Sequence, residues 1–282
     1  MRIIEKISEV RTIVGSLRRE GKTIGFVPTM GYLHQGHMSL VKASRQANDI
    51  TIMSIFVNPA QFGPKEDFEK YPRDMDADSK KADEAGVDMI FLPTVKEMYP
   101  DDYSTYVEVL GITDKLCGKS RPGHFKGVCT VVLKLFNIVC PDRAYFGQKD
   151  AQQAAVINRM VKDLNSKVMI ITCPIVRESD GLAMSSRNVY LRSEERKAAL
   201  VLSRSLKEAA GMIENGEANS EKLRNYLINS IVCEELADID YVEILDAKTL
   251  EFKETLKGSM LLAVAARFGN TRLIDNVIVE VN

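Results

Sequence analysis

Phe26-Val27-Pro28-Thr29-Met30-Gly31-Tyr32-Leu33-His34-Gln35-Gly36-His37 is the stretch that decides the reading of this 282-residue chain. It opens as the end of a short apolar run, Thr23 to Val27, of the kind that forms a strand buried on both faces. A turn rich in Pro and Gly follows, and a helical pattern starts near His37 or Ser39. Strand, turn and helix in that order make the repeating unit of an α/β protein. In an open sheet of such units, ligands bind beyond the carboxyl ends of the strands, where helix N-termini offer free N–H groups to anions. A phosphate-bearing ligand is therefore expected at this turn.

Working outward, similar runs recur at Ile50 to Val57, Val87 to Leu92, Ala144 to Phe146 and Val168 to Thr172, with helix-like segments between them. The clearest helix is Phe125 to Val139, where Val128, Val131, Val132, Leu135, Phe136 and Val139 share one face. After Pro174 the pattern changes. Two helices, Glu194 to Glu214 and Ser220 to Glu235, precede three strand-like runs at Tyr241 to Leu245, Met260 to Ala266 and Ile274 to Val281. The expected fold is α/β with a parallel sheet over residues 1–175, followed by a smaller α+β domain with an antiparallel sheet over 176–282. The second domain is expected to close over the site of the first.

Lys plus Arg (38) balances Asp plus Glu (39), so the chain lacks the basic field that nucleic-acid backbones require. Its five cysteines are scattered, without the spacing of a zinc site or a disulfide framework. The first residues, Met1-Arg2-Ile3-Ile4-Glu5-Lys6, contain no secretory apolar region, and no run is long enough for a membrane helix. A cytoplasmic protein with neither nucleic acid nor membrane as partner is expected.

Two of only three histidines, His34 and His37, flank Gly36. Two imidazoles there can donate hydrogen bonds to phosphoryl oxygens, and a glycine between them would let a ligand approach. A turn carrying two surface histidines remains the alternative. Asn58-Pro59-Ala60-Gln61-Phe62-Gly63 leaves the next strand on the same sheet edge, and its uncharged amides suit a hydroxylated substrate or only a strand-ending turn. Asp76 and Asp78, in a charge-rich helix, are candidates near a magnesium ion, but the spacing assigns no metal ligand. Cys117 to Gly127 carries Lys119, Arg121, His124 and Lys126 and reads as a mobile cover facing anions, or a solvated loop.

Tyr145-Phe146-Gly147-Gln148-Lys149-Asp150 again runs from a strand toward a helix. Asp150 sits at the N-cap, Lys149 lies beside the helix start and Gln153 is one turn further in. Val176 to Asn188 holds Met184-Ser185-Ser186-Arg187, two hydroxyls and a guanidinium fork suited to a polyphosphate.

The His-x-Gly-His turn resembles that of the adenylate-forming, nucleotidyl-transferring branch of Rossmann-like folds. The longer string Pro28-Thr29-Met30-Gly31 leading into it, with the Gly147 to Asp150 and Met184 to Arg187 runs, resembles the pantothenate synthetase family. The resemblance implies an AMP-forming ligase that joins pantoate to β-alanine through a pantoyl adenylate, using ATP and Mg2+, as a homodimer. It implies ATP contacts at Pro28, Thr29, Met30, Gly31, His34, His37, Gly147, Lys149, Asp150, Val176, Met184, Ser185, Ser186 and Arg187. Gln61 and Gln153 are implied for pantoate or β-alanine, with Asn58 beside them. His34, His37 and Lys149 are the expected catalytic groups, His37 as the proton donor. A nucleotidyltransferase that stops at an adenylylated product, an RNA-binding synthetase relative and a non-catalytic ATP sensor are the competing readings.

Overall fold

The computed structural model describes residues 1–64 and 66–281. Six parallel strands form the first sheet: β1 (Arg2–Ile4), β2 (Ile24–Thr29), β3 (Ile50–Ile55), β4 (Met89–Phe91), β5 (Arg143–Gly147) and β6 (Met169–Cys173), in the order β1-β4-β3-β2-β5-β6. Alternate side chains feed two apolar layers. Phe26 and Ile52 point to the side covered by the helix His124–Val139, while Val27 and Met53 point to the side covered by the helix Gln35–Ala47. With both faces covered, β2 to β5 are mostly apolar, which is why they read as short continuous runs.

The apolar pattern shows no strand at the N-terminus. β1 has only three residues, and of these only Ile4 is buried, because it pairs at the sheet edge with β4 alone. It is too short for a period to show.

The chain progresses outward from β2 to β3 to β4, then returns to place β5 on the other side of β2. Gly25 pairs with Arg143 and Phe26 with Ala144 across that junction. Strand order reverses between β2 and β5, so their carboxyl ends open a crevice that no crossover covers. The His turn leaves β2 there and the Lys149 turn leaves β5.

Beyond Cys173 the helices Ser193–Ala198, Leu200–Glu214 and Ser220–Val232 precede an antiparallel sheet of β7 (Ala237–Asp246), β8 (Gly258–Phe268) and β9 (Thr271–Val281). The helix expected over Glu194 to Glu214 is broken at Ala199 into two. One face of the sheet, with Val242, Ile244 and Leu262, packs on its own helices. The opposite face, with Leu245, Leu261 and Ala263, joins the core of the parallel-sheet unit. The antiparallel sheet is thus seated directly on the first unit, with apolar side chains between them.

Candidate active site

The His turn is held by buried charge. Gly31 and Tyr32 both take left-handed backbone angles, φ 85° and 51°. Such a turn points consecutive N–H groups one way, and the carboxylate of Asp78, 2% exposed, accepts from Tyr32 N at 2.7 Å and Leu33 N at 2.6 Å. Lys81 Nζ donates to Leu33 O at 2.7 Å. A Cβ at Gly31 would stand 2.9 Å from the Asp78 carboxylate, on top of an unfavourable φ. Asp78 is therefore committed to the turn, which removes it as a metal ligand.

The helix starts at Gln35, earlier than the sequence pattern implied, because His34 is its N-cap. His34 Nδ1 accepts from Gly36 N at 3.1 Å, and His37 Nδ1 accepts from His34 N at 3.2 Å. Two imidazoles thus cap one helix start reciprocally. Since a backbone N–H can only donate, each neutral ring must carry its proton on Nε2. Burial first, then the Lys149 charge, lowers the His34 pKa to about 4. Burial, then His34 and then Lys149, hold His37 well below the ordinary value. Both rings are neutral at pH 7, each with an Nε2–H donor oriented by the backbone.

Burial opposes the imidazolium form of His37, so the proton it can offer is that of the neutral Nε2–H. Gly36 is explained differently than expected. A Cβ there would lie 2.8 Å from His34 Cε1 and 2.9 Å from Nδ1, so glycine makes room for the His34 ring rather than for a ligand.

Lys149 lies on a 3-10 turn, Gln148–Asp150, between β5 and the helix Ala151–Asp163, near enough for its charge to act on both imidazoles. Asp150 occupies the N-cap position, but its side chain caps nothing. The preceding 3-10 turn leaves it at φ −98°, ψ 57°, and its nearest cation is Lys149 Nζ at 3.6 Å. A Cβ on Gly147 would meet nothing within 4 Å, so open space adjoins the backbone there.

The Met184 to Arg187 run folds against the His turn. Ser186 Oγ donates to Tyr32 O at 3.3 Å, Ser185 Oγ accepts from Arg187 N at 3.2 Å, and Met184 N donates to Val176 O at 3.0 Å. Arg187, expected to face phosphate, has its fork on Asp67 at 2.9 and 3.0 Å and lies over the Tyr71 ring. Asp67 holds Arg187 in place, and its carboxyl pKa is lowered by that guanidinium against the opposing effect of burial.

Asn58 has a different part from the one expected. It is 1% exposed, and both ends of its amide are engaged. Nδ2 donates to Gln61 Oε1 at 3.1 Å and to Gly127 O at 3.2 Å, while Oδ1 accepts from Tyr99 OH at 2.8 Å and Ala60 N at 3.3 Å. Nothing remains for a ligand, so Asn58 orients Gln61. Gln61 Nε2 in turn reaches Met30 Sδ at 3.1 Å, and His124 Nδ1 lies 2.8 Å from Gln61 O. A Cβ at Gly127 would fall 2.2 Å from Ala60 O, so this helix touches the Gln61 loop only because residue 127 is glycine.

The segment expected to be a mobile cover is instead fastened. Arg121 grips Glu66 at 2.7 and 2.5 Å, and His124, with its pKa lowered to about 4 first by burial and then by Arg121, is neutral. The sequence carried no signal for these pairings, because they join loops far apart in the chain.

Lys149, Asp150, Gln153, Ser185 and Arg187 line a cleft of about 1480 Å³ between the two sheets, with Arg272 and Asn276 on the far wall. His34 and His37 stand outside its wall, within range of the Lys149 charge, whereas His124 lines it. Of the groups predicted to meet a triphosphate, Lys149, Ser185 and Arg187 share this cleft, while Ser186 bonds the His turn at Tyr32 O. Among the described residues no group of three or more His, Cys, Asp or Glu could cage a metal.

The family model for pantoate–β-alanine ligase matches residues 2–278. The chain belongs to the pantoate–β-alanine ligase family. The pantothenate synthetase of Acetivibrio thermocellus is 65% identical over 281 residues, covering all of both chains, and that of Caldicellulosiruptor saccharolyticus is 61% identical over the same span. The crystal structure of pantothenate synthetase from Thermus thermophilus superposes with a TM-score of 0.94 at 45% identity, covering 98% of this chain and 99% of that one. A pantoate–β-alanine ligase from Francisella tularensis, complexed with β-γ ATP and β-alanine, gives 0.80 at 37% identity, with 99% and 97% covered. The enzyme is thus an ATP-dependent ligase that condenses pantoate with β-alanine to pantothenate through a pantoyl adenylate. Membership in the pantoate–β-alanine ligase family decides against a non-catalytic sensor and against a nucleotidyltransferase that stops at an adenylylated product.

Proposed function

We propose that the triphosphate of ATP lies in the crevice between the ends of β2 and β5. The observation that supports this is that Lys149, Ser185 and Arg187 share one cleft, with Lys149 near enough to act on both imidazoles and Ser186 bonded to Tyr32 O of the His turn. A pantoate carboxylate oxygen attacks the α-phosphorus and pyrophosphate leaves. The amine of β-alanine then attacks the acyl carbon, AMP leaves with the acyl oxygen, and the nitrogen loses a proton.

In this reading the histidines and Lys149 stabilise charge on the phosphoryl oxygens, and no side chain forms a covalent intermediate. Ser185, Ser186 and Arg187 face the β- and γ-phosphates, Arg187 exchanging part of its hold on Asp67 for phosphate. The open backbone at Pro28 to Gly31 and at Gly147, with Val176 and Met184, borders the nucleotide. Gln61, set by Asn58, and Gln153 hold pantoate.

Mg2+ fits here as an ion held mainly by phosphate and water oxygens, the coordination it prefers, since the described residues form no cage. Asp150 is the carboxylate beside Lys149 that no arginine engages, and it is the residue we assign to that ion's shell. The ion would neutralise charge on the departing pyrophosphate.

A homodimer in the cytoplasm is proposed with this activity. Support comes from a stretch outside helix and strand that exposes Tyr106 and Leu110, at 52% and 79%, and from five cysteines that remain free thiols. The division at residues 175 and 176, with the second unit covering the first, is likewise proposed. Pantoate-dependent exchange of labelled pyrophosphate into ATP without β-alanine tests the chemistry. Exchange is expected, and its absence with intact overall synthesis would overturn the adenylate route.

A further inference from the structure

The turn that carries Lys149 is poorly secured by its own segment. Asp150 makes no cap, and Gln148 and Lys149 lie between strand and helix on a single 3-10 turn. Among the described residues, its side-chain hydrogen bonds come from the far end of the chain. Asn276 Nδ2 donates to Gln148 O and to Lys149 O, both at 3.0 Å, and Asn276 Oδ1 accepts from Gln148 Nε2 at 3.3 Å. Both amide hydrogens and the amide oxygen of one residue are thereby engaged by two consecutive residues.

Asn276 is 3% exposed and is itself held in place. Its own N–H donates to Asp275 Oδ1 at 2.7 Å, and Asp275, also 3% exposed, takes the Arg177 fork at 2.7 and 2.9 Å. Arg177 follows Val176, whose carbonyl pairs with Met184 N, and its guanidinium also donates to Gly181 O at 3.0 Å. Two adjacent positions of β9, pointing to opposite faces of the sheet, therefore fasten the Lys149 turn on one side and the loop leading to Met184 on the other. A buried polar pair in mid-strand costs stability unless each atom is satisfied, and here each satisfied atom contacts a segment facing ATP.

We propose that Asn276 is a positioning residue for adenylation: it fixes Lys149 through the backbone of residues 148 and 149, and Asp275 with Arg177 ties that placement to the Met184 loop. The proposal rests on the reading of Lys149 as a phosphate-facing group. It extends the site to the last strand, which the sequence pattern read only as sheet.

A double-mutant cycle on the full-length enzyme tests it, reading single-turnover pyrophosphate release with saturating pantoate and the thermal midpoint of each variant. Asn276→Ala should slow release by about 10- to 100-fold, the range that small misplacement of a reacting group produces, with little change in the pantoate KM. In a Lys149→Ala background the same change should cost almost nothing more. Asn276→Asp keeps shape and volume but replaces both donors with a carboxylate facing two carbonyls, so it should be at least as slow as Asn276→Ala.

Additive effects of the two mutations would overturn the proposal, as would an Asn276→Asp enzyme with wild-type turnover, since packing alone would then suffice. A Lys149→Ala enzyme that releases pyrophosphate at full rate would instead remove the underlying reading of Lys149, and the proposal with it. That result is distinguishable because it appears before residue 276 is touched.

Discussion

Acidification from pH 7 to pH 5 should destabilise this protein through its histidines alone. The chain has three, His34, His37 and His124, and burial is the first cause lowering the pKa of each. In the unfolded chain they take up protons near 6.5, whereas in the fold His34 and His124 resist until about pH 4 and His37 is shifted in the same direction. A depressed histidine pKa means that the unfolded state binds more protons, so stability is lost as pH falls from 6.5 toward 4 and regained as it rises. Between pH 7 and pH 5 the linkage amounts to about 2 kcal/mol for each of His34 and His124, and His37 adds to it. Against a typical total of about 5–15 kcal/mol, that is a large share. The carboxylates whose pKa values are lowered by ion pairs, such as Asp67 and Glu66, lose their contribution mainly below about pH 5 and so act largely beneath this window. Urea unfolding at closely spaced pH values measures the slope, and His124→Asn should remove its own share of about 2 kcal/mol. A stability that stays flat from pH 7 to pH 5 would refute the neutral, buried imidazoles on which the Nε2–H donors depend.

Lys149→Ala should slow adenylate formation by about 10²–10³, corresponding to loss of about 2.7–4 kcal/mol of transition-state stabilisation, read as single-turnover pyrophosphate release. Gly36→Ala should leave the protein folded yet slow the same step by about 10² by pushing the His34 ring off its Nδ1 bond. A crystal structure of that variant with His34 unmoved would contradict the cause. Asn58→Ala should cost about 1–3 kcal/mol of stability, because Tyr99 OH and the Gln61 amide lose a buried partner, and should raise the pantoate KM while leaving that for ATP unchanged.

Local features carried most of the fold. The five apolar runs mapped onto β2 to β6, and for β2 to β5 this follows because a strand covered on both faces has few solvent-facing positions to interrupt it. The helix His124–Val139 matched its expected start within a residue, since its apolar face is sustained for four turns. β1 escaped because three residues at an edge carry no period. Within the site, His34, His37, Lys149 and the Ser-Ser-Arg run were legible as short motifs placed after strands. What held them in place was not: Asp78 is 41 residues beyond His37, and Asn276 is 127 beyond Lys149. A helix face rich in charge and a strand with two polar residues look the same whether those groups meet water or a distant backbone. Asn58 and Asp150 show the converse, since a motif position tells which residue is near a ligand but not which of its atoms is still free.

The arrangement also bears on how an enzyme with no covalent nucleophile can activate a carboxylate. Most groups proposed to meet substrate are held by a partner that is not itself assigned to substrate: the histidines by backbone N–H groups, the His turn by Asp78 and Lys81, Gln61 by Asn58, and the Lys149 turn by Asn276. Donors fixed before the substrate arrives need no reorganisation as charge develops, which is where preorganised electrostatic catalysis gets its strength. Arg187 differs, being fixed by the Asp67 carboxylate, which the proposed phosphate contact would partly displace. A guanidinium that must trade Asp67 for phosphate gains little from binding alone, because one charged partner replaces another. Its contribution should therefore grow as negative charge gathers on the leaving pyrophosphate, so Arg187 acts more on the rate of adenylation than on ATP affinity.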